Sequence, residues 1–372
     1  MSVAATAVHF ARAVAIRAAW AAAALLATGA GAADPDWQAF KEAFVGQDGR
    51  VVDTGQGRIS HSEGQGFAML LAVHHDDRAA FDRLWQWTRQ NLQVRGDSLV
   101  AWRWEPGRGA TDRNNASDGD LLVAWSLLRA GEKWKVPEHA EDARRIAQDI
   151  RKKLLRRTAH GRVLLPGLEG FEKPEGLTVN LSYWVFPALR EIGRVDAAPE
   201  WDELARTGMA MLQYSYFGRW GLPPDWLRLG ERVVPADGFP PRFGYDAVRI
   251  PVYLLWSRQE TPALLRPYRE FWAFFSGARF LPAWTNLNDD SVDSHGAGLG
   301  IRAVAQVVAE YPDAKAGSLP ALDNGQSYYS AVLLLLCKMA LRERGGNPAA
   351  ESPVKVSGGD DPSAGMVKAH SK

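Results

Sequence analysis

Three acidic residues in this chain each stand just ahead of an apolar pattern with helical spacing. Glu63 sits in Ile59-Ser60-His61-Ser62-Glu63-Gly64-Gln65-Gly66-Phe67, between glycine-bearing turns at the mouth of a helix predicted over 67–73. There it faces the positive end of the helix dipole, where ionised acids are ordinarily favoured. It can be a plain N-terminal charge, or a proton donor if burial or nearby carboxylates raise its pKa. Asp118 lies in Ala116-Ser117-Asp118-Gly119-Asp120-Leu121. Ser117 and Asp120 read as a capping box; Asp118 is left over, at the first helical position and facing out of the barrel's end. Asp246, in Arg242-Phe243-Gly244-Tyr245-Asp246-Ala247-Val248-Arg249, opens a third pattern. Arg249 is one turn on, spaced to pair with it, and a surface ion pair is the plain alternative.

Acids at three helix starts suit cleavage of a glycosidic bond. One carboxylic acid protonates the departing oxygen, and a carboxylate acts on the opposite side of the ring. A water-activating pair stands about 6.5–9.5 Å apart and inverts configuration; a directly attacking pair stands about 5–5.5 Å apart. Either arrangement requires the helix starts to share one rim.

The elements that must position them are helical. Apolar residues recur at helical spacing over 36–44, 67–73, 81–92, 121–128, 143–155, 179–189, 201–212, 247–256, 264–275, 304–311 and 328–341. Loops rich in Gly, Pro, Asp and Trp lie at 103–115, 218–242 and 280–295, and β-like pieces at 98–104 and 161–165 are too few for a main sheet. No linker divides the chain and no repeat recurs at a fixed period. The expected fold is all-α, an (α/α)6 barrel with long loops and a few short β-strands on one face. Residues 34–343 form one catalytic domain, and the Gly-, Pro- and Asp-rich stretch 344–372 reads as a disordered tail.

Residues 1–33 read as an export signal: Arg12 and Arg17, an apolar run over 18–27, and the small-residue site Ala30-Gly31-Ala32. The run is too short to span a membrane, so a periplasmic or secreted protein without stable membrane insertion is expected. The formal charge of +1 gives no electrostatic pull towards nucleic acid. Cys337 is the only cysteine and reads as a small buried hydrophobe. For a metal, His61, His74, His75 and His295 lack ligand spacing, with His74-His75 read as the solvated end of a helix. Asp289, Asp290 and Asp293 lack the glycine and distal glutamate of a calcium loop. No residue argues for a nucleotide or flavin cofactor, and a monomer is expected. The 15 tryptophans are unusual, and those in loop-like segments suit the C–H-rich faces of sugar rings.

The run from Ala116 through Trp134, with its Ala-Ser-Asp-Gly-Asp opening, resembles the helix signature of glycoside hydrolase family 8, departing mildly at Val123. Ser62-Glu63-Gly64 resembles that family's acid segment, and Tyr245-Asp246-Ala247-Val248-Arg249 its base segment. With the leader, the pattern is most similar to the branch of periplasmic cellulases that accompany bacterial cellulose synthase. The resemblance implies an inverting endo-β-1,4-glucanase with an (α/α)6 barrel, with β-1,4-glucan and the cellulose synthase complex as partners. It implies Glu63 as general acid, Asp246 as general base, Asp118 holding the distorted sugar, and Arg249 orienting the base or binding sugar. Asn180-Leu181-Ser182-Tyr183 resembles a segment whose tyrosine positions the catalytic water, which adds Tyr183, although Leu181 stands where relatives often have proline.

A long glucan needs stacking platforms. Trp102 and Trp104 alternate in a strand-like run and point to opposite faces, so only one reaches the cleft. Trp184, Trp226, Trp284, Tyr328 and Tyr329 are further candidates, each with core packing as its plain alternative. The same machinery could act on chitosan, xylan or mixed-linkage β-glucan. A reading of another class, a non-catalytic glucan-binding protein of an export apparatus, is disfavoured by the presence of all three acids.

Overall fold

The computed structural model describes residues 34–323 and 325–346; the export signal expected over 1–33 and the tail from 347 onwards lie outside them. Eleven α-helices occur among the described residues: α1 (Pro35–Phe44), α2 (Ser62–His74), α3 (Arg78–Asn91), α4 (Ser117–Trp134), α5 (Pro137–Leu154), α6 (Phe186–Val195), α7 (Glu200–Leu212), α8 (Ile250–Ser257), α9 (Pro262–Phe274), α10 (Leu299–Ala309) and α11 (Tyr328–Gly346). Residues 344–346, expected to open the tail, belong to α11 instead. Each apolar pattern overlaps one of these helices, but the one over 179–189 begins with a strand end and a 3-10 turn (Leu181–Tyr183), and α6 starts only at Phe186.

Their arrangement follows from how apolar residues are distributed around each. In α2 every residue from Gly64 to Val73 is buried, and in α8 Ile250 to Trp256 are all buried. Helices apolar all round belong inside. The helices α3 and α5 bury one stripe only and stand outside. The packing closes a ring: α2 lies on α4, α4 on α6, α6 on α8, α8 on α11, and α11 on α2, with α10 against α8 and α11. Behind it, α3 packs on α2, α5 on α4, α7 on α6, α9 on α10 and α1 on α11. This is the expected α/α barrel.

Among the described residues eleven short strands form four small antiparallel sheets: β1 (Ser60–His61) with β2 (Ala101–Glu105) and β3 (Gly109–Asn115); β4 (Leu155–Thr158) with β5 (Gly161–Leu164); β6 (Glu172–Lys173), β7 (Gly176–Val179), β8 (Leu227–Leu229) and β9 (Val233–Pro235) in that order; and β10 (Arg242–Phe243) with β11 (Thr285–Asn286). The two expected β-pieces are β2 and β5. Strands also feed the ring. β1 runs into α2, β3 into α4, β7 into a 3-10 turn (Leu181–Tyr183) before α6, and β10 into another (Ala247–Arg249) before α8. Each paired strand fixes where the next inner helix begins.

Glycine lets α2 and α4 approach closely. A Cβ on Gly66 would lie 2.6 Å from the Leu122 Cβ, and one on Gly119 would collide with the Ser62 hydroxyl and stand 2.9 Å from the Glu63 amide nitrogen. The glycines around Glu63 lie inside the helix and not in turns, and α2 starts five residues before the position its apolar pattern suggests.

At the far ends of the same helices a second polar cluster closes the ring. The Arg129 guanidinium on α4 donates to both oxygens of Glu343 on α11 (2.7 and 3.1 Å) and of Glu191 on α6 (2.9 and 3.2 Å). His74, ending α2, lies 3.3 Å from Glu343, and Trp256 of α8 donates to it at 2.7 Å. The expectation of a solvated His74-His75 end is thus corrected. His74 is held by Glu343, and the His75 ring stacks on Trp37, where burial pushes its pKa down to about 4.

Burial works against charge on Glu343, but the bonds from His74, Arg129 and Trp256 prevail and bring its carboxyl from 4.5 down to about 2. A depressed carboxylate stabilises the fold above its unfolded pKa, and that stability is lost as pH falls through the folded value. At roughly 1.4 kcal/mol per unit, the contribution is about 3 kcal/mol at neutral pH. Glu343→Gln should lose about that much in urea unfolding at pH 7. The gap from wild type should shrink below about pH 4.5 and close near 2; a gap independent of pH would contradict it.

Candidate active site

Five inner helices present their starts to the same rim. Glu63 is the second residue of α2, whose N-cap is His61: the ring Nδ1 accepts from the Gly64 amide at 3.0 Å. The other ring nitrogen lies 3.3 Å from Asp53 Oδ2, which fixes the tautomer that leaves Nδ1 free to accept. Asp118 is the second residue of α4 and is not turned outwards: only 2% of its side chain is exposed. The capping box expected there is absent. Ala116, not Ser117, is the N-cap and its methyl offers no bond, while Asp120 is drawn inward by the Val100 amide (2.8 Å) and the Asn115 side chain (2.6 Å).

The helix starts meet at one cation. Arg249 Nη1 contacts Glu63 Oε1 and lies 3.5 Å from Asp118 Oδ2, while Nη2 donates to Asp246 Oδ1 at 2.9 Å and to the Ser182 hydroxyl at 2.9 Å. The Arg249 side chain is 3% exposed, so its contact with Asp246 is no surface pair. Glu63 and Asp246, at 24% and 27%, open into a cavity of about 570 Å³. Tyr329, Tyr245 and Tyr328 form part of its wall, and the Tyr329 hydroxyl donates to the Tyr245 carbonyl.

Burial lifts two of the carboxyls facing this cation, Asp118 and Asp246. Asp118 is pushed up to about 7 by burial, against the Gly119 amide and with the Asp120 charge adding to it. Asp246 is raised well above the usual carboxylate range by burial and by the charges of Asp225 and Asp118. Tyr183 lies with its ring 5.7 Å from the Arg249 guanidinium, and burial keeps its hydroxyl protonated. Of these groups Asp118, at about 7, can exchange a proton close to neutrality.

Of the residues singled out in the sequence, Glu63, Asp246, Arg249 and Tyr329 line the cavity, Asp118 lies beneath it and Tyr183 beside it. Trp102 stands apart: it is half-buried in β2 against Arg103 and does not line this cavity. Trp104 packs on Trp87 and under Arg50. Trp184, a stacking candidate, is fully buried in the core. Trp226 sits between Phe239 (4.3 Å) and Phe171 (5.8 Å), edge-on to Tyr183. Sequence reasoning missed Ser182, His61 with Asp53, and Asp225. Ser182 was within reach, one position from Tyr183; Asp225 lies in a loop with no periodic signal. Among the described residues no group of three or more His, Cys, Asp or Glu is arranged to hold a metal ion.

The model of the family described as "Glycosyl hydrolases family 8" matches residues 12–343. The chain belongs to this family. It is a glycoside hydrolase, with the (α/α)6 barrel of that family. A probable endoglucanase of Novacetimonas hansenii is 40% identical over 312 residues, covering 82% of this chain and 90% of that protein. An endoglucanase of Cellulomonas uda is 38% identical over 280 residues, covering 74% of this chain and 77% of that one. The solved endo-beta-1,4-glucanase of Acetobacter xylinum superposes with a TM-score of 0.78 at 39% identity, covering 83% of this chain and 98% of its own.

A lysine at 249 offers one compact charge where the guanidinium fork serves several acceptors. Arg249→Lys should keep the helical circular-dichroism spectrum and lower turnover of soluble cello-oligosaccharides about 10²-fold, the cost typical of a 1 Å misplacement. Wild-type turnover would show that the shared contact is dispensable.

Proposed function

We propose that this family 8 hydrolase is an endo-β-1,4-glucanase, cutting internal bonds of cellulose-type glucan with inversion of configuration. Glu63 is the general acid and Asp246 the general base. The observation that carries the reading is the shared guanidinium of Arg249, which gathers Glu63, Asp118 and Asp246 from three separate helix starts into one cleft.

A glucan strand lies along the cleft with its scissile oxygen at Glu63. Acting as acid requires Glu63 to bring a proton, so its pairing with Arg249 is exchanged for the glycosidic oxygen when glucan binds. Asp246, held by Arg249 and close to Tyr183, takes a proton from the water that attacks the opposite face of the ring. Asp118 beneath binds the distorted sugar, and Tyr329 and Trp102 are contacts further along the strand. Residues 34–343 are the catalytic domain, and no cofactor takes part. The endoglucanase names of its relatives support the polymer. The leader-like 1–33 supports a periplasmic or secreted location, and the resemblance to cellulases accompanying cellulose synthase supports work beside that complex. Among the described residues no helix is long and apolar enough to cross a membrane.

Two measurements test this. Glu63→Gln and Asp246→Asn should each lower turnover by about 10²–10⁴-fold while glucan binding persists. NMR during hydrolysis of cellopentaose by wild type should show the α-anomer as the first product. A β-anomer appearing first, or near-normal turnover in either variant, would overturn the assignment; a panel including chitosan, xylan and mixed-linkage glucan tests the polymer.

A further inference from the structure

We propose that Asp225 is a positioning residue for Asp246: by capping the backbone that carries it, Asp225 sets where that carboxylate stands in the cleft. The proposal rests on the reading of Asp246 as base.

The cap expected from Asp246 itself is missing. Asp246 is the N-cap of the 3-10 turn Ala247–Arg249, yet its side chain makes no capping bond. An N-cap aspartate ordinarily folds back onto the amides two or three residues ahead. Done here, that would occupy Asp246's carboxylate with its own backbone. Here the Val248 and Arg249 amides already bond the carbonyls of Gly244 (3.0 Å) and Asp246 (3.1 Å), and Asp225 holds the amides just before them from another loop. Its Oδ1 accepts from the amides of Gly244 (3.0 Å), Asp246 (3.1 Å) and Ala247 (2.9 Å). Its Oδ2 takes the Arg242 Nε at 3.2 Å, and its own amide donates to the Arg242 carbonyl at 2.7 Å. The segment is thus fixed without the Asp246 side chain, which bonds Arg249 instead.

Two further observations fit. Asp225 is 3% exposed, so this is a buried carboxylate with all its bonds directed at one short segment. A Cβ on Gly244 would lie 2.9 Å from Asp225 Oδ2, so the approach requires glycine at 244. The contact also has an electrostatic side. Asp246 is faced by Arg249 from its own turn, by Asp225 from a loop, by Arg242 from β10, by Asp118 from α4, by Asn180 and Tyr183 ahead of α6, by Tyr253 from α8 and by Tyr329 from α11. After burial, the Asp225 charge heads the influences that favour a proton on Asp246.

The test is steady-state hydrolysis of cellopentaose from pH 4 to 9 by the full chain and by Asp225→Asn, Asp225→Ala and Asp246→Asn, with Tm measured for each. Asp225→Asn keeps an acceptor but loses the charge. Its kcat should fall about 10-fold with KM within about 2-fold, and the acidic limb of its profile should move to lower pH, because a base relieved of a neighbouring negative charge ionises more readily. Asp225→Ala should lose about 10²-fold in kcat. A merely structural role would lower Tm and leave the kcat of folded protein and the acidic limb where they are. That result in Asp225→Asn, with Asp246→Asn inactive, overturns the proposal alone. Near-normal turnover in Asp246→Asn overturns the underlying assignment and the proposal with it. Should Asp225→Ala fail to fold, Asp225→Asn decides.

Discussion

One buried guanidinium organises the working end of this protein. Arg249 is all but sealed from solvent, and its two terminal nitrogens meet Glu63, Asp118 and Asp246. A single cation cannot neutralise three carboxylates. Removing the set from water raises the cost of each unpaired negative charge. The surplus is relieved by keeping protons, which is why Asp118 rises to about 7 and Asp246 well above its usual range. Helix starts favour negative charge, yet here burial prevails over the dipole. The site thus holds carboxyls, Asp118 and Asp246, that keep their protons to higher pH than free ones do.

That cluster is possible only because the helices deliver their first turns to one place. The small sheets fix where each inner helix starts, and the glycine contacts at Gly66 and Gly119 draw α2 and α4 close enough for Glu63 and Asp118 to share a cation. About 16 Å further along α4, at 1.5 Å per residue, Arg129 mirrors Arg249. It ties α4 to α6 and α11, while Glu343 takes in α2 and α8. One arginine cluster closes the ring where nothing reacts. The other leaves two carboxylates open to the cleft.

Much of this was legible in the sequence. Helical periodicity overlapped every described helix, because all-round or one-sided apolar patterns follow directly from burial; it misplaced the start of α6, where a strand end and a 3-10 turn carry apolar residues at 179–185. The acids at 63, 118 and 246 stood out because each preceded such a pattern. What escaped was whatever depends on contacts between distant segments. Asp120 looked like a cap, and nothing local revealed that Val100 and Asn115 would claim it. Gly64 and Gly66 looked like turn residues, whereas they allow Tyr328 and α4 to approach the helix. His61 drew attention only as a metal ligand, although it caps the helix of Glu63. Asp225 lies in an aperiodic loop, and its role emerges only once three amides from residues about twenty positions away are seen around it.

The central claim is that carboxylates gathered by Arg249 converge on one sugar unit. A crystal structure of Glu63→Gln soaked with cellopentaose tests it most directly. The account predicts a bound chain whose glycosidic oxygen lies within hydrogen-bond distance of residue 63, with Asp118 touching the same sugar and a water between its opposite face and Asp246. A chain seated elsewhere on the barrel, or one whose scissile bond contacts neither residue 63 nor Asp246, would contradict it.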